Sequence, residues 1–151
     1  MGRTWHRLLA MTAACGFIGF FVWIIVIADK ADGVPWWSFI HQIPFGDKVG
    51  HFGLVGTLSF LCNLAFGRRE GNRPRFITRT TWVLLVLLSL EELSQGFIPH
   101  RHLDLFDWLA DLAGLAVGQI LAMRCRAAAL PGPRVSRLAR ESIDKAKRPS
   151  R

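Results

Sequence analysis

Residues 8–28 read LLAMTAACGFIGFFVWIIVIA, a run of 21 residues without a charged side chain. A helix of this length rises about 32 Å, which is enough to cross the roughly 30 Å hydrocarbon layer of a bilayer. Arg3 and Arg7 precede the run, as in a signal peptide. The run is longer than a usual signal core, and no small-x-small cleavage site follows it. It therefore predicts an uncleaved transmembrane helix.

Three further apolar blocks follow, separated by short charged stretches. Of the 151 residues, 51% are hydrophobic, and their concentration in blocks is typical of a membrane protein. Because only helices or closed barrels satisfy the backbone in lipid, blocks of these lengths predict helices. We expect an all-α integral membrane bundle with four transmembrane helices over residues 8–28, 49–66, 81–98 and 103–123. These form a domain at 1–125, followed by a basic tail at 126–151.

The distribution of lysine and arginine predicts the orientation of the bundle. The N-terminal segment, the loop between the second and third spans, and the tail together hold all but three of these 19 residues. The alternate loops contain Lys30, Lys48 and Arg101. The positive-inside rule then places both termini in the cytoplasm of a bacterial inner membrane. Tryptophans in the outer loop at 35–39 (PWWSF) predict a short interfacial segment.

The net charge of +8 raises the alternative of nucleic-acid binding. The basic residues flank the apolar blocks, however, and no zinc-finger, RNA-binding or recognition-helix pattern accompanies them. We expect no nucleic-acid partner. Cys15, Cys62 and Cys125 have no short spacing and are interpreted as apolar packing residues.

Ionisable side chains are costly inside spanning helices and tend to mark functional sites. Here they gather at the predicted outer ends of the last three spans. Helix rise places Glu92 and Asp111 at a similar depth, roughly 10 Å from the outer surface. The cytoplasmic halves of the spans are almost entirely apolar. The sequence predicts one outward-facing polar site formed by Asp47, Lys48, His51, Glu92, Gln95, Arg101, Asp104, Asp107 and Asp111.

Four of these residues are candidate catalytic residues. Glu92 or Asp107 would be a general acid or base, and His51 a second proton-transfer group. Arg101 would bind a phosphate or carboxylate. The other five members, Asp47, Lys48, Gln95, Asp104 and Asp111, are candidate substrate-binding or structural residues.

Simpler structural interpretations remain open. Asp104 and Asp107 have the position of helix-start acids, and Lys48 could extend to the headgroups. The whole cluster could be a structural polar lock between helices. A metal site is also conceivable, but there is no histidine- or cysteine-based spacing and the nearby arginine opposes a cation. We expect no metal and no other cofactor.

Glycines accompany the acidic residues at helical spacing. Gly50 lies on the second span, and Gly114 and Gly118 on the fourth. Glycine stripes allow helices to approach closely, so these three positions are predicted to pack between helices.

The ordered pattern Asp47-Lys48-x-x-His51-Phe52, Glu92-x-x-Gln95 and Arg101-x-x-Asp104-x-x-Asp107 resembles the VanZ-like family of small bacterial membrane proteins. The resemblance covers about residues 44–119. The family usually has asparagine where this chain has Asp111. The resemblance implies a helical membrane domain and an association with resistance to teicoplanin, a glycopeptide that acts outside the cytoplasmic membrane. The biochemical activity of the family is not established.

Three functions are therefore open. The first is a membrane enzyme acting on a lipid-linked envelope component at the outer leaflet, although no nucleophile stands out. The second is a non-catalytic binding or accessory protein that uses the same residues. A transporter or proton pathway comes third. Transporters usually carry polar groups near the bilayer midplane, whereas the cytoplasmic halves of these spans are almost entirely apolar. Membrane lipids or a lipid-linked precursor are the expected partners, and oligomeric state is left open.

Overall fold

The computed structural model describes residues 2–28, 45–67, 77–98 and 104–128, and all four segments are helical. The four helices are α1 (Gly2–Ala28), α2 (Gly46–Phe66), α3 (Arg79–Gln95) and α4 (Leu105–Ala128). Within the described residues, the prediction of an all-α fold with four helices is confirmed. The interfacial segment expected at 35–39 and the tail beyond residue 128 lie outside the described residues.

The helix ends differ from the predicted spans by a few residues. α1 begins six residues before the expected span, and α4 continues to Ala128, past the expected end of the domain at 125. α3 ends at Gln95 instead of continuing to residue 98. The proline at position 99 explains the early end of α3, because it disfavours helical backbone in the residue before it.

Three helices are long and apolar enough to cross a membrane, namely α1 from Trp5, α2 and α4. α3 has 17 residues and spans about 26 Å, a little less than the hydrocarbon layer. α3 nevertheless exposes a row of large apolar side chains away from the bundle, formed by Trp82, Val83, Val86, Leu87 and Leu90.

α2 is the central helix of the bundle. It packs against α1, α3 and α4, whereas α1 packs against α2 alone among the described helices. The core is formed by Val55, Leu58 and Cys62 of α2, Leu84 and Leu88 of α3, and Leu115 of α4, with Phe17, Phe21 and Leu85 packed against it.

Close contact between α2 and α4 depends on small residues. A Cβ atom on Gly114 would lie 2.5 Å from the carbonyl oxygen of Phe52, and one on Gly118 would collide with the carbonyl oxygen of Gly56. Gly114 and Gly118 thus lie on this seam, as expected. The partner glycine on α2 is Gly56 and not Gly50, since no atom lies within 4 Å of a Cβ built on Gly50. Gly50 lies one and a half turns away from the place where the backbones approach.

Candidate functional site

The polar residues predicted from the sequence converge at one end of the bundle. They come from the first turns of α2, the last turn of α3 and the start of α4, which meet because α2 and α4 run in the same direction and α3 runs opposite to them. We call this group the polar cluster, and its described members are Asp47, Lys48, His51, Glu92, Gln95, Asp104, Asp107 and Asp111. Arg101 lies outside the described residues.

Lys48 is the centre of the most exposed part of the polar cluster. Its Nζ donates to Asp47 Oδ2, Asp104 Oδ2 and Asp107 Oδ1, each at 3.0 Å. Two of these carboxylates belong to the start of α4, so the ammonium joins the start of α4 to the first turn of α2. An ammonium has three donors, and all three are used here. Lys48 is therefore a link between helices and does not extend freely to the headgroups.

Asp104 has a second role as the residue that precedes α4. Its Oδ1 accepts from the backbone N–H of Phe106 at 2.8 Å, which satisfies one of the free donors in the first turn of the helix. The hydrogen bond from Lys48 and this backbone N–H hold the pKa of the Asp104 carboxyl below its usual range. Asp104 thus acts both as a helix-start acid for α4 and as a partner of Lys48 in the polar cluster.

A second, deeper pair joins α2 to α4. His51 Nδ1 lies 3.1 Å from Asp111 Oδ1. The Asp111 side chain is 3% exposed and that of His51 is 27% exposed. Asp111 is therefore the more deeply buried member of this pair.

Glu92 connects α3 to the residue that precedes α4. Its Oε1 accepts from the backbone N–H of Asp104 at 3.1 Å, and its Oε2 accepts from Gln95 Nε2 at 3.3 Å. Gln95 also donates to both carboxylate oxygens of Glu91, at 3.0 and 3.1 Å. Glu92 and Gln95 are both buried, whereas Glu91 is half-buried. Glu91, which the sequence suggested would hydrogen-bond a neighbour, helps to orient Gln95.

The serines near the polar cluster do not have the arrangement of a nucleophile. Ser89 accepts from Trp108 Nε1 at 3.1 Å, and Ser94 donates to the carbonyl of Glu91 at 2.6 Å. Neither hydroxyl hydrogen-bonds to a histidine or carboxylate in the part of the chain that the structure describes. Covalent catalysis by a serine is therefore not the chemistry that this arrangement favours.

Three carboxylates of the polar cluster have the spacing of a cation site. One oxygen each from Asp47, Asp104 and Asp107 lie within 4.8 Å of one another. The Lys48 ammonium lies within hydrogen-bonding distance of all three and already neutralises part of their charge. A metal would have to displace this ammonium, so the described residues fit an internal cation better than a bound one.

A second polar network lies at the opposite end of the bundle, and the sequence analysis missed it. Asn63 is 1% exposed; it donates to Thr81 Oγ1 at 3.0 Å and accepts from Thr78 Oγ1 at 2.6 Å. Ser59 donates to the carbonyl of Leu115 at 2.8 Å, and Gln119 accepts from the backbone N–H of Thr78 at 3.0 Å.

The expectation of almost entirely apolar cytoplasmic halves is therefore wrong. Uncharged polar residues were treated as part of the apolar blocks, although Ser59 and Asn63 stand four apart and so share one face of α2. Their spacing was the available signal. Within the described residues every buried side-chain nitrogen or oxygen has a hydrogen-bond partner, at this end and in the polar cluster alike.

Comparison with known proteins gave no match to this chain. No family model matches it, and neither a curated protein nor a solved structure does.

Proposed function

We propose that this chain is an integral membrane protein whose polar cluster binds and acts on the polar headgroup of a lipid-linked cell-envelope component. The observation that carries the proposal is the convergence of ionisable side chains from three helices at one end of a bundle that is apolar outside. Ionisable residues at such a place are costly and are typically retained for function. The motif resemblance to VanZ-like proteins supports an envelope role, including a link to teicoplanin resistance.

The proposed topology has four spans with both termini in the cytoplasm. Its support is the asymmetry of lysine and arginine between alternate loops, together with the exposed apolar row of α3. α3 is short, but a short span is accommodated by local thinning of the bilayer. The polar cluster then faces the outside of a bacterial inner membrane. Reporter fusions after residues 70, 100 and 128 test this topology, and an external reporter at 70 or 128 would contradict it.

The chemistry of the polar cluster indicates which groups it would bind. Its described members include five carboxylates against one lysine and one histidine. Carboxylates accept hydrogen bonds from hydroxyl and ammonium groups, which are common in sugar-peptide headgroups. A phosphate or carboxylate on the same ligand would require Arg101. We therefore assign recognition of donor groups to the carboxylates and recognition of an anionic group to Arg101.

The experiment uses a bacterium whose outer surface is open to glycopeptides, and it measures teicoplanin and vancomycin susceptibility. Wild type is compared with Glu92→Gln, Arg101→Ala and Asp107→Asn at matched membrane levels. Thr57→Ala is the control, because Thr57 is exposed and bonds only to the carbonyl of Gly53 in its own helix. The proposal expects a shift with wild type and the control that the three cluster variants lose.

Two other results have distinct meanings. If no version of the chain changes susceptibility, the resistance association implied by the resemblance is wrong for this protein. If the three variants act like wild type, the polar cluster is a structural lock and the proposed recognition is wrong.

A non-catalytic accessory role is the second candidate, and the saturation of the polar cluster favours it. Lys48 has no free donor, and neither Ser89 nor Ser94 contacts a base among the described residues. A purely binding site should tolerate Glu92→Gln with a modest loss, since the amide preserves one acceptor. A catalytic site that needs the carboxylate should lose nearly all activity, so the size of this loss separates the two candidates.

A further inference from the structure

The pair formed by His51 and Asp111 has a defined protonation pattern. His51 Nδ1 lies 3.1 Å from Asp111 Oδ1, and a carboxylate in its ionised form only accepts hydrogen bonds, so this contact favours the tautomer with the proton on Nδ1. Asp111 is almost fully buried by α2 and α4, whereas the imidazole is partly open. In a neutral ring with Nδ1 protonated, the remaining nitrogen, Nε2, carries a lone pair and accepts protons.

The other carboxylates of the polar cluster have different partners. Asp47, Asp104 and Asp107 share the ammonium of Lys48, and Glu92 accepts from Gln95 and from a backbone N–H. Asp111 alone among them bonds to the imidazole. His51 is therefore oriented by one specific carboxylate, that of Asp111, and the other carboxylates are bonded elsewhere.

The second ring nitrogen of His51 is available to a ligand. Nε2 makes no hydrogen bond to the part of the chain that is described, and the imidazole is partly exposed. Asp107 bonds to Lys48 and Glu92 bonds to Gln95, so neither carboxylate occupies this nitrogen.

We propose that Asp111 is a positioning residue that holds His51 with Nδ1 protonated, so that Nε2 accepts a hydrogen bond from a hydroxyl group of the bound headgroup. This inference rests on the proposed function and assigns the ligand to the hydroxyl-bearing class. No covalent bond breaks: the hydroxyl donates, the lone pair of Nε2 accepts, and the proton stays on the oxygen of the ligand.

The first test determines which nitrogen of His51 carries the proton. The full chain is labelled with ¹⁵N-histidine and studied by NMR in a membrane mimetic, from neutral to alkaline pH. Signals of His51, one of five histidines, are those lost in His51→Gln. The expected wild-type ring has a protonated Nδ1 and an unprotonated Nε2. A ring protonated at Nε2, or at both nitrogens throughout the range, would overturn the proposal.

The variants separate positioning from general structure. Asp111→Leu removes the acceptor and should shift the ring toward the form protonated at Nε2. Asp107→Asn is the matched control, because Asp107 bonds to Lys48 and not to the imidazole, and it should keep the wild-type pattern. An unchanged ring in Asp111→Leu would also overturn the proposal. If that variant does not fold, the wild-type spectrum still decides.

The susceptibility assay distinguishes failure of this inference from failure of the proposed function. His51→Gln and Asp111→Leu should both lose the effect of wild type. A different result would be that Glu92→Gln loses the susceptibility effect while His51→Gln keeps it. The site is then functional, but His51 does not accept from the hydroxyl of the ligand, and the inference is overturned. If wild type does not change susceptibility but its NMR spectrum is as expected, the proposed function is wrong, whereas the orientation of His51 by Asp111 is confirmed.

Discussion

Lys48 Nζ lies 3.0 Å from Asp107 Oδ1 and so joins the first turn of α2 to the first turn of α4. The same ammonium holds Asp104 at the same distance. This link lies at the more exposed side of the polar cluster, and the glycine contacts of α2 with α4 lie deeper. Together they fix the distance between the two helices that carry most of the polar cluster.

Replacement of Lys48 by alanine should destabilise the bundle. Three carboxylates would lose their shared cation and repel one another across α2 and α4. Because the lysine side chain is 23% exposed, solvent screens part of this repulsion, and we expect a loss of about 1–2 kcal/mol. The free energy of unfolding, measured by denaturant titration in mixed micelles, checks this value.

The same variant should acquire sensitivity to divalent cations. Asp47, Asp104 and Asp107 would then present oxygens within 4.8 Å of one another with no ammonium between them. Carboxylate oxygens suit Ca²⁺, so millimolar Ca²⁺ should restore part of the lost stability of Lys48→Ala while changing wild type little. The double variant Lys48→Ala with Asp107→Asn is the control and should respond less. Equal Ca²⁺ responses in all three proteins would contradict the role of the ammonium.

Acid should remove the contribution of Asp104 to stability. Its pKa is lowered in the folded chain, so the contribution is complete above the unfolded value near 3.8 and is lost as the pH falls through the lower folded value. The stability difference between wild type and Asp104→Asn should therefore be constant near neutral pH and shrink below about pH 4. A difference that is unchanged in acid would contradict this assignment. In a Lys48→Ala background this acid dependence should weaken, because the hydrogen bond from Lys48 that lowers the pKa of Asp104 is lost.

The sequence was sufficient to predict the helices and the convergence of the polar cluster. Long uncharged runs specify helices because the backbone must be satisfied within each segment, and helix rise then aligns residues such as Glu92 and Asp111. The partners within the polar cluster could not be predicted in the same way. Lys48 was compatible with headgroup contact or with pairing, and only the rotation of α2 against α4 decides between them.

Helix rotation also explains the two misjudged features of the interior. Gly50 shares the glycine spacing of α2, but the backbones approach at Gly56. Asn63 sits in a stretch that hydropathy alone treats as apolar, yet it faces α3 and bonds there to Thr78 and Thr81. Periodicity identifies residues that share a face, whereas the neighbour of that face depends on packing across the whole bundle.

Two glycine-to-alanine substitutions should change the free energy of unfolding in opposite directions. A Cβ on residue 118 would meet the backbone of Gly56 and Phe60, which cannot move aside, so Gly118→Ala should lose about 2 kcal/mol of unfolding free energy. Gly50→Ala is the matched control, because open space surrounds its Cβ and alanine favours the helix by about 0.5–1 kcal/mol. Unfolding titrations of both variants check the contrast. Equal losses would mean that α2 and α4 do not meet at this seam.

The second polar network should contribute to stability and not to the function of the polar cluster. Asn63→Leu removes the group that joins Thr78 and Thr81 to α2 and leaves their hydroxyls buried without this partner, at a cost of about 2 kcal/mol. Thr57→Val on the exposed face of α2 is the control and should change stability by less than about 0.5 kcal/mol. At matched membrane levels, Asn63→Leu should retain the susceptibility effect that Glu92→Gln loses. Loss of that effect in folded Asn63→Leu would indicate that the two ends of the bundle act together.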